Sequence, residues 1–344
     1  MRKRSPASGC FFPGGRIMSA KASFRELIES SNEILWAPCI YDCVSAKCAE
    51  QIGFKAVTIS SCEQMHSFTG MPYMTQDEMF ISAERIIKST NCAVLVDGED
   101  GGGDPLQVYR NVKRYAEAGA MAISIEDTFN HSSIGIHTIG VKSTHKSMAV
   151  RDHNMPAELW AACIQAAVEA TKGTECMVVA RVNGKSTMDN KGPEKFANRP
   201  GYSLDEAIRR LQMGAELGAP MTMLQNICYP GGQAEWSEYC KRVPGYHVYP
   251  DIHADHGVSD VDDVSELYKA GFQVITCHCF QKGAWKGMLE YGMHVFKDKN
   301  TIYTENDDFG HPIWQLSPLT FPEYAEKCDR WIDTYEEMKN YKGN

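Results

Sequence analysis

Eight apolar runs recur along the chain, at 34–41, 56–59, 93–96, 121–125, 177–182, 221–224, 246–249 and 273–277. Between and after them lie stretches with the 3–4 residue spacing of amphipathic helices, at 44–52, 76–88, 106–118, 157–171, 204–217, 235–242, 260–270 and 283–296. Several helical stretches run into a Gly-led turn (Gly53, Gly119, Gly218, Gly271), the chemistry of a helix C-cap. A strand that is always followed by a helix can pair only in parallel with the next strand. Eight such units in about 265 residues predict an α/β fold, a (β/α)8 TIM-type barrel. A doubly wound sheet, which usually stops at about five to seven strands, is the second choice.

Around the barrel, residues 1–17 read as an extension without an apolar core, and Met18 is a candidate natural start. Residues 19–32 read as an N-terminal helix, 18–300 as the catalytic barrel, and 301–344 as a C-terminal helical extension. In that extension a helix over 322–339 carries an aromatic stripe, Tyr324, Trp331 and Tyr335, that suits core packing or a subunit contact. A net charge of −9 speaks against a nucleic-acid partner, which needs basic patches to neutralise phosphates. Thirteen cysteines, odd in number and mostly within apolar runs, read as reduced thiols of a cytoplasmic protein. No apolar run is long enough to suggest a membrane span.

Polar residues cluster where the strands end, which in such a barrel is the catalytic face. Asp42 follows the first strand, Ser60 and Ser61 the second, and Asp97, Glu99 and Asp100 the third. Glu126 and Asp127 end the fourth, Arg181 and Asn183 the fifth, and Gln225 and Asn226 the sixth. Asp251, His253, Asp255 and His256 follow the seventh, and His278 ends the eighth. Some have ordinary structural readings. Asp42 suits a helix N-cap, Asp260 is helix-start charge, and His278 reads as a satisfied core histidine. Glu126 and Arg181, directly after buried-strand triplets, are harder to explain that way, because an unpaired buried charge costs about 3–5 kcal/mol.

The densest cluster is Val94-Leu95-Val96-Asp97-Gly98-Glu99-Asp100-Gly101-Gly102-Gly103-Asp104-Pro105. Three carboxylates within four positions precede three glycines, and Asp104-Pro105 supplies an N-cap and a first-turn proline. Acidic oxygens on a backbone free to adopt positive φ suit a hard divalent cation. Two connections, 128–154 and 183–203, are long and leave strand C-termini, so they read as binding loops or lids.

These residues resemble the isocitrate lyase/phosphoenolpyruvate mutase superfamily. The resemblance rests on Asp42-x2-Ser45-Ala46-Lys47, Gly53-Phe54-x-Ala56-Val57, Val96 to Gly103, Glu117-Ala118-Gly119-Ala120, Ile125-Glu126-Asp127 and Val179-Ala180-Arg181. It implies that Asp97, Glu99 and Glu126 hold Mg²⁺, largely through waters, with Mn²⁺ as an alternative. It further implies that Ser60 and Ser61 bind a substrate carboxylate, and that Arg181 pairs with the substrate's oxygens as a catalytic residue together with Glu126. Asn183, Gln225 and Asn226 complete the expected substrate contacts. Glu99, Asp100 and Gly102 stand where the family has Asp, Thr and Tyr, and no Lys-Cys-Gly-His loop follows Glu126. The loop instead holds His131, His137 and His145, of which His131 is the leading acid–base candidate.

The expected function is Mg²⁺-dependent cleavage of the bond to C3 of a small anionic 2-oxo or 2-hydroxy acid, by a lyase or decarboxylase working through an enolate. A phosphoenolpyruvate mutase or phosphonopyruvate hydrolase type of C–P enzyme is the alternative, and a silent metal- and acid-binding barrel is the rival outside catalysis. The resemblance also implies a homo-oligomer, dimer or tetramer.

Overall fold

Pro38 has no N–H to donate to a sheet ladder, and it splits the first strand of the barrel into β1 (Leu35–Trp36) and β2 (Cys39–Ile40). The computed structural model describes residues 21–71, 73–129, 154–183, 203–225, 227, 232–252, 254–255, 258–259, 261, 263–305, 322–339 and 341. After β2 the described elements are α2 (Cys43–Ile52), β3 (Ala56–Ile59), α3 (Ser61–Thr69), α4 (Gln76–Ser89), β4 (Ala93–Asp97), α5 (Pro105–Ala118) and β5 (Ala122–Glu126). Next come α6 (Ala157–Ala170), β6 (Met177–Val182), α7 (Leu204–Glu216), β7 (Met221–Leu224), α8 (Gly232–Arg242) and β8 (Tyr246–Tyr249). The short hairpin β9 (Ala254–Asp255) and β10 (Val258–Ser259) precedes α9 (Val264–Ala270), β11 (Val274–Ile275) and α10 (Phe280–Asp298). A short helix, α1 (Phe24–Glu29), precedes β1.

The main sheet is parallel throughout, in the order β1-β11-β8-β7-β6-β5-β4-β3-β2. Its two ends belong to the same broken strand. Leu35 N–H donates to Gln273 O at 2.8 Å and Cys39 N–H to Cys277 O at 2.8 Å, while Thr58 N–H reaches Pro38 O at 3.0 Å and Ser60 N–H reaches Ile40 O at 3.1 Å. The residues around Pro38 thus join first and last strands, and the eight-strand barrel closes as the alternation predicts.

Side chains alternate across each strand. Val94, Val96, Ile123, Ile125, Val178 and Ala180 face outward into the layer under the helices, where Trp160, Val108 and Tyr115 meet them. Ala93, Leu95, Ala122, Met177, Val179, Met221, Met223, Val248 and Val274 fill the barrel interior, and Phe24 and Ile28 of α1 join the same cluster. The inner face is therefore largely apolar along its lower part, and the charged residues Asp97, Glu126 and Arg181 stand on it at the strands' carboxyl ends.

Local chemistry matches the reading at several boundaries. Asp42 caps α2, accepting from Ser45 N at 2.7 Å, and Asp104 caps α5 with Pro105 in its first turn. Gly53 and Gly119 end α2 and α5 in the left-handed region. Helix α3 has no counterpart in the predicted elements. Its buried side chains are Ser61, Glu63, Gln64 and Met65, so it lacks the apolar stripe on which periodicity depends. Its one sequence signal is Ser60 three residues before Glu63, and the Ser60 hydroxyl does cap it. The predicted helix at 260–270 begins instead at Val264, capped by Asp263.

Residues 21–285 form one compact unit, and 286–344 belong to another. In the second, α11 (Ile302–Glu305) and α12 (Pro322–Lys339) follow α10, and the Tyr303 ring stacks on His294 at 3.6 Å. Trp331 and Tyr335 of the aromatic stripe are exposed. Among the described residues no helix is long and apolar enough to cross a membrane.

Candidate active site

The alternation that buries Leu95, Ala122 and Met177 inside the barrel also fixes which polar residues meet at its mouth. Asp97 is two residues beyond Leu95, Ser124 and Glu126 are two and four beyond Ala122, and Arg181 is four beyond Met177. All four therefore share the inner face. The register sets their heights: Asp97 lies level with Ser124, which lies level with Val179, and Glu126 lies level with Arg181.

Arg181 is the hub. Its Nη1 donates to Asp97 Oδ1 at 3.0 Å, and its Nε donates to Asn183 Oδ1 at 2.8 Å and lies 3.5 Å from Glu126 Oε2. Asn183 Nδ2 donates in turn to Glu126 Oε2, and Thr128 Oγ1 donates to the other oxygen, Oε1, at 3.0 Å. Asp97 accepts further from Ser61 Oγ at 3.0 Å and Ser124 Oγ at 3.3 Å. Burial works against the Arg181 charge, but the Asp97, Glu126 and Glu99 carboxylates outweigh it and hold its pKa above the ordinary arginine value.

Glu99 sits in the turn after β4, only 1% exposed, with a left-handed φ of 53°. Such a conformation in a non-glycine residue costs about 1–3 kcal/mol. The glycines that follow it, Gly101 to Gly103, all have positive φ, so the chain turns away and leaves the Glu99 carboxyl inside. Burial, and then the Glu126 and Asp97 charges, push its pKa well above the usual carboxylate range, against Ser61 and Arg181. Three carboxylates, buried Glu99 and Glu126 and partly exposed Asp97, beside one guanidinium form an oxygen-only, net acidic set. That donor set fits a hard divalent cation, which would relieve the repulsion raising Glu99. The three carboxylates are arranged around Arg181 rather than converging on one point; among the described residues, the group of three potential ligand atoms all within 4.8 Å of one another is Cys39, Asp251 and His278. A cation held by Asp97, Glu99 and Glu126 would keep part of its water shell.

Behind the mouth a second chain of bonds holds these residues. Asp127 faces away from the barrel and accepts from Arg210 Nη1 at 3.2 Å and from the Asn183 backbone N–H at 2.8 Å, all buried. Asp100, also buried, takes the Gly102 N–H at 2.9 Å and so shapes the turn. Thr128 and Asn154 pair as an antiparallel bridge, so both ends of the 128–154 connection meet beside Glu126.

The opposite wall is built by β2, β8, β11 and α3. His278 Nδ1 lies 2.9 Å from Glu63 Oε1, and its Nε2 lies 3.2 Å from Asp251 Oδ1. His278 is half-buried at the mouth, not in the core, and its ring is satisfied by two carboxylates. Asp251 has a left-handed φ of 43° and is pinned by Thr276, which takes its N–H at 2.8 Å. Cys39 and then Asp251 raise the His278 pKa far above that of a free imidazole, against burial.

Of the residues singled out in the sequence, Asp97, Glu99, Glu126, Arg181, Asn183 and Ser61 come together. Ser60 is buried at the N-cap of α3, its hydroxyl 3.5 Å from Glu63 N and 3.3 Å from Cys62 Sγ. Gln225 follows β7, and its buried Oε1 has no hydrogen-bond partner among the described residues. Asn226, His131, His137, His145, His253 and His256 lie outside the described residues. Ser124, Thr128, Glu63 and Cys39 were missed. Ser124 and Thr128 could have been found from their spacing of two residues from Glu126; Glu63 and Cys39 depend on contacts between distant segments.

The chain is similar to known proteins over most of its length. It is 27% identical to the petal death protein of Dianthus caryophyllus over 93% of this chain and 90% of that one. It is 30% identical to the chloroplastic carboxyvinyl-carboxyphosphonate phosphorylmutase of Arabidopsis thaliana over 80% of this chain and 73% of that one. The crystal structure of 2,3-dimethylmalate lyase, a PEP mutase/isocitrate lyase superfamily member, superposes with a TM-score of 0.69 at 22% identity, covering 92% of this chain and 100% of that one. The phosphoenolpyruvate phosphomutase family matches residues 24–289, the whole closed barrel with the acidic turn and Arg181 inside it, and the chain thus belongs to the phosphoenolpyruvate mutase/isocitrate lyase superfamily.

Proposed function

We propose that this protein is a divalent-metal-dependent lyase or decarboxylase that breaks the bond to C3 of a small 2-oxo or 2-hydroxy acid. The observation that supports this reading most is the placement of Asp97, Glu99 and Glu126 around Arg181 at the barrel mouth. Asp97, Glu99 and Glu126 would hold Mg²⁺, or Mn²⁺ in its place. Bound there, the cation supplies a Lewis acid that counters the enolate charge developing on the substrate's 2-oxygen.

The chain's own residues do the rest. Arg181 is locked by Asp97 and Asn183, so its charge is already oriented when the C3 bond breaks, and it opposes the same developing charge without reorganising. The backbone N–H groups of Ser61 and its neighbours at the start of α3 offer a carboxylate the positive end of a nine-residue helix. Asn183 holds Glu126, and Gln225 and Asn226 would contact the distal part of the substrate. The proton at C3 would come from the 128–154 connection, whose ends meet beside Glu126, with His131 as the donor.

A C–P mutase or hydrolase activity of the phosphonopyruvate type is the second reading, favoured by the phosphorylmutase among the chain's relatives. A silent binding barrel is the third. We further propose that the protein is cytoplasmic, in keeping with eleven free thiols among the described residues, and that it is a dimer or tetramer associating through residues 301–344, an extension beyond a barrel of 18–300. Pyruvate release from a panel of 2-oxo, 2-hydroxy and phosphono acids, with Mg²⁺, tests the catalytic readings against each other. Phosphate release or rearrangement would favour the second reading. Binding of Mg²⁺ and oxalate by calorimetry without any turnover would leave the third.

A further inference from the structure

Three donors of different chemistry converge on the wall opposite the acidic turn. Cys39 lies just beyond the Pro38 break, Asp251 after β8 and His278 after β11, and one ligand atom from each lies within 4.8 Å of the others. The acidic residues stand at the ends of β4 and β5, so closure of the barrel puts these three on the far side of its mouth. The strand order and not the chain order brings them together: Cys39 and His278 are neighbours only because the broken first strand pairs with the last.

We propose that Cys39, Asp251 and His278 form a second metal site, for a borderline transition-metal ion of the Zn²⁺ type, distinct from the acidic set of Asp97, Glu99 and Glu126. Sulfur, imidazole nitrogen and one carboxylate are the donors that zinc takes and that Mg²⁺ avoids. The spacing agrees. With metal–nitrogen and metal–oxygen bonds of about 2.0–2.2 Å, two tetrahedral ligands stand roughly 3.3–3.5 Å apart. The His278 Nε2 to Asp251 Oδ1 separation is 3.2 Å. The far nitrogen is also prepared: Glu63 Oε1 lies 2.9 Å from Nδ1, the carboxylate–imidazole arrangement that fixes tautomer and ring orientation in histidine ligands.

Two further observations point the same way. Glu63 is only 3% exposed, and its other oxygen, Oε2, has no hydrogen-bond partner among the described residues, so a buried carboxyl oxygen behind His278 is left unsatisfied. Asp251 is held with left-handed backbone and clamped by Thr276, whose hydroxyl donates to Oδ1 at 2.8 Å. Backbone strain of this kind persists where the surroundings fix a side chain in one place. Three protein donors are the number found in zinc sites that keep one position for water or substrate. The partly exposed side chains of His278 and Asp251 put that position toward solvent.

Cobalt(II) is the probe, because a thiolate ligand gives it a near-ultraviolet charge-transfer band and a tetrahedral site gives it strong visible bands. The full-length protein, dialysed against chelator, is titrated with Co²⁺ alone. One equivalent should develop both bands, and Zn²⁺ should bleach them. Cys39→Ser, nearly isosteric, should abolish the charge-transfer band while circular dichroism stays unchanged. Glu63→Gln should keep the bands but weaken binding roughly 10–100-fold. Asp97→Asn, on the other wall, should leave the titration unchanged. A charge-transfer band that survives in Cys39→Ser, belonging to one of the other thiols, would overturn the proposal. So would stoichiometric Co²⁺ binding without a thiolate band, or bands lost in Asp97→Asn.

Discussion

The Arg181 guanidinium and the Asp97 carboxylate meet at 3.0 Å although their strands, β6 and β4, are not neighbours. Strand β5 lies between them and contributes Ser124 and Glu126 to the same inner face. Because Asp97 is level with Val179, Arg181 stands one inward-facing step higher and reaches back across Ser124. A long, planar, multidentate cation suits that reach. Arg181→Lys retains the charge but loses the second donor arm to Asn183 and Glu126. We expect kcat/KM to fall on the order of 10²-fold or more with little change in Tm. Unaltered pyruvate formation by the variant would remove Arg181 from the mechanism.

Glu99 is raised by burial and by Glu126 and Asp97, so it is the carboxylate that most needs a cation nearby. In the presence of chelator, Glu99→Gln relieves repulsion and should raise Tm by a few degrees. The same variant should lose most of the Tm gain that saturating Mg²⁺ gives the wild type, since ligand binding stabilises only the state it binds. Differential scanning calorimetry with and without Mg²⁺ reads both effects. An equal Mg²⁺-induced gain in both proteins would exclude Glu99 from the metal site.

Arg210 and Asp127 form a buried ion pair at 3.2 Å, and Asp127 also holds the Asn183 backbone at 2.8 Å. Removing one partner strands a buried charge. Arg210→Met should therefore cost about 3–5 kcal/mol in urea unfolding. Asn183 binds both Arg181 and Glu126, so the surviving folded protein should also lose kcat more than it loses substrate affinity. A stability loss without any change in kcat would confine the pair to a structural role.

His247 is buried, its Nδ1 3.0 Å from Thr222 Oγ1 and its ring against Tyr239 and Phe272. Burial pushes its pKa down to about 4. The unfolded imidazole protonates as pH falls through about 6.5, whereas the folded one resists until about 4. The unfolded state binds the extra proton in that window, so stability is full above pH 6.5 or so and declines toward pH 4, by on the order of 3 kcal/mol from this group. His247→Gln should flatten that part of the Tm–pH profile. A wild-type slope that persists in the variant would assign it to other groups.

The sequence determined the strand-and-helix alternation, because the apolar side chains that fill a barrel and its helical coat must recur at fixed spacing. It also determined most of the acidic turn and the strand-end charges, since Asp97, Glu99, Glu126 and Arg181 follow apolar runs that leave them nowhere else to point. The caps at Asp42 and Asp104 were legible for the same reason: they are local, made within three residues of chain. Helix α3 was not legible, because its buried face is polar and its stability comes from what packs on it. The bonds from Ser61 to Asp97, from Arg210 to Asp127 and from Glu63 to His278 join residues 36, 83 and 215 positions apart. Tertiary packing decided those contacts, and for Glu63 and His278 the closure of the barrel through one broken strand pairing on both sides, since proximity across a sheet depends on strand order and register and neither is written in the spacing of a single segment.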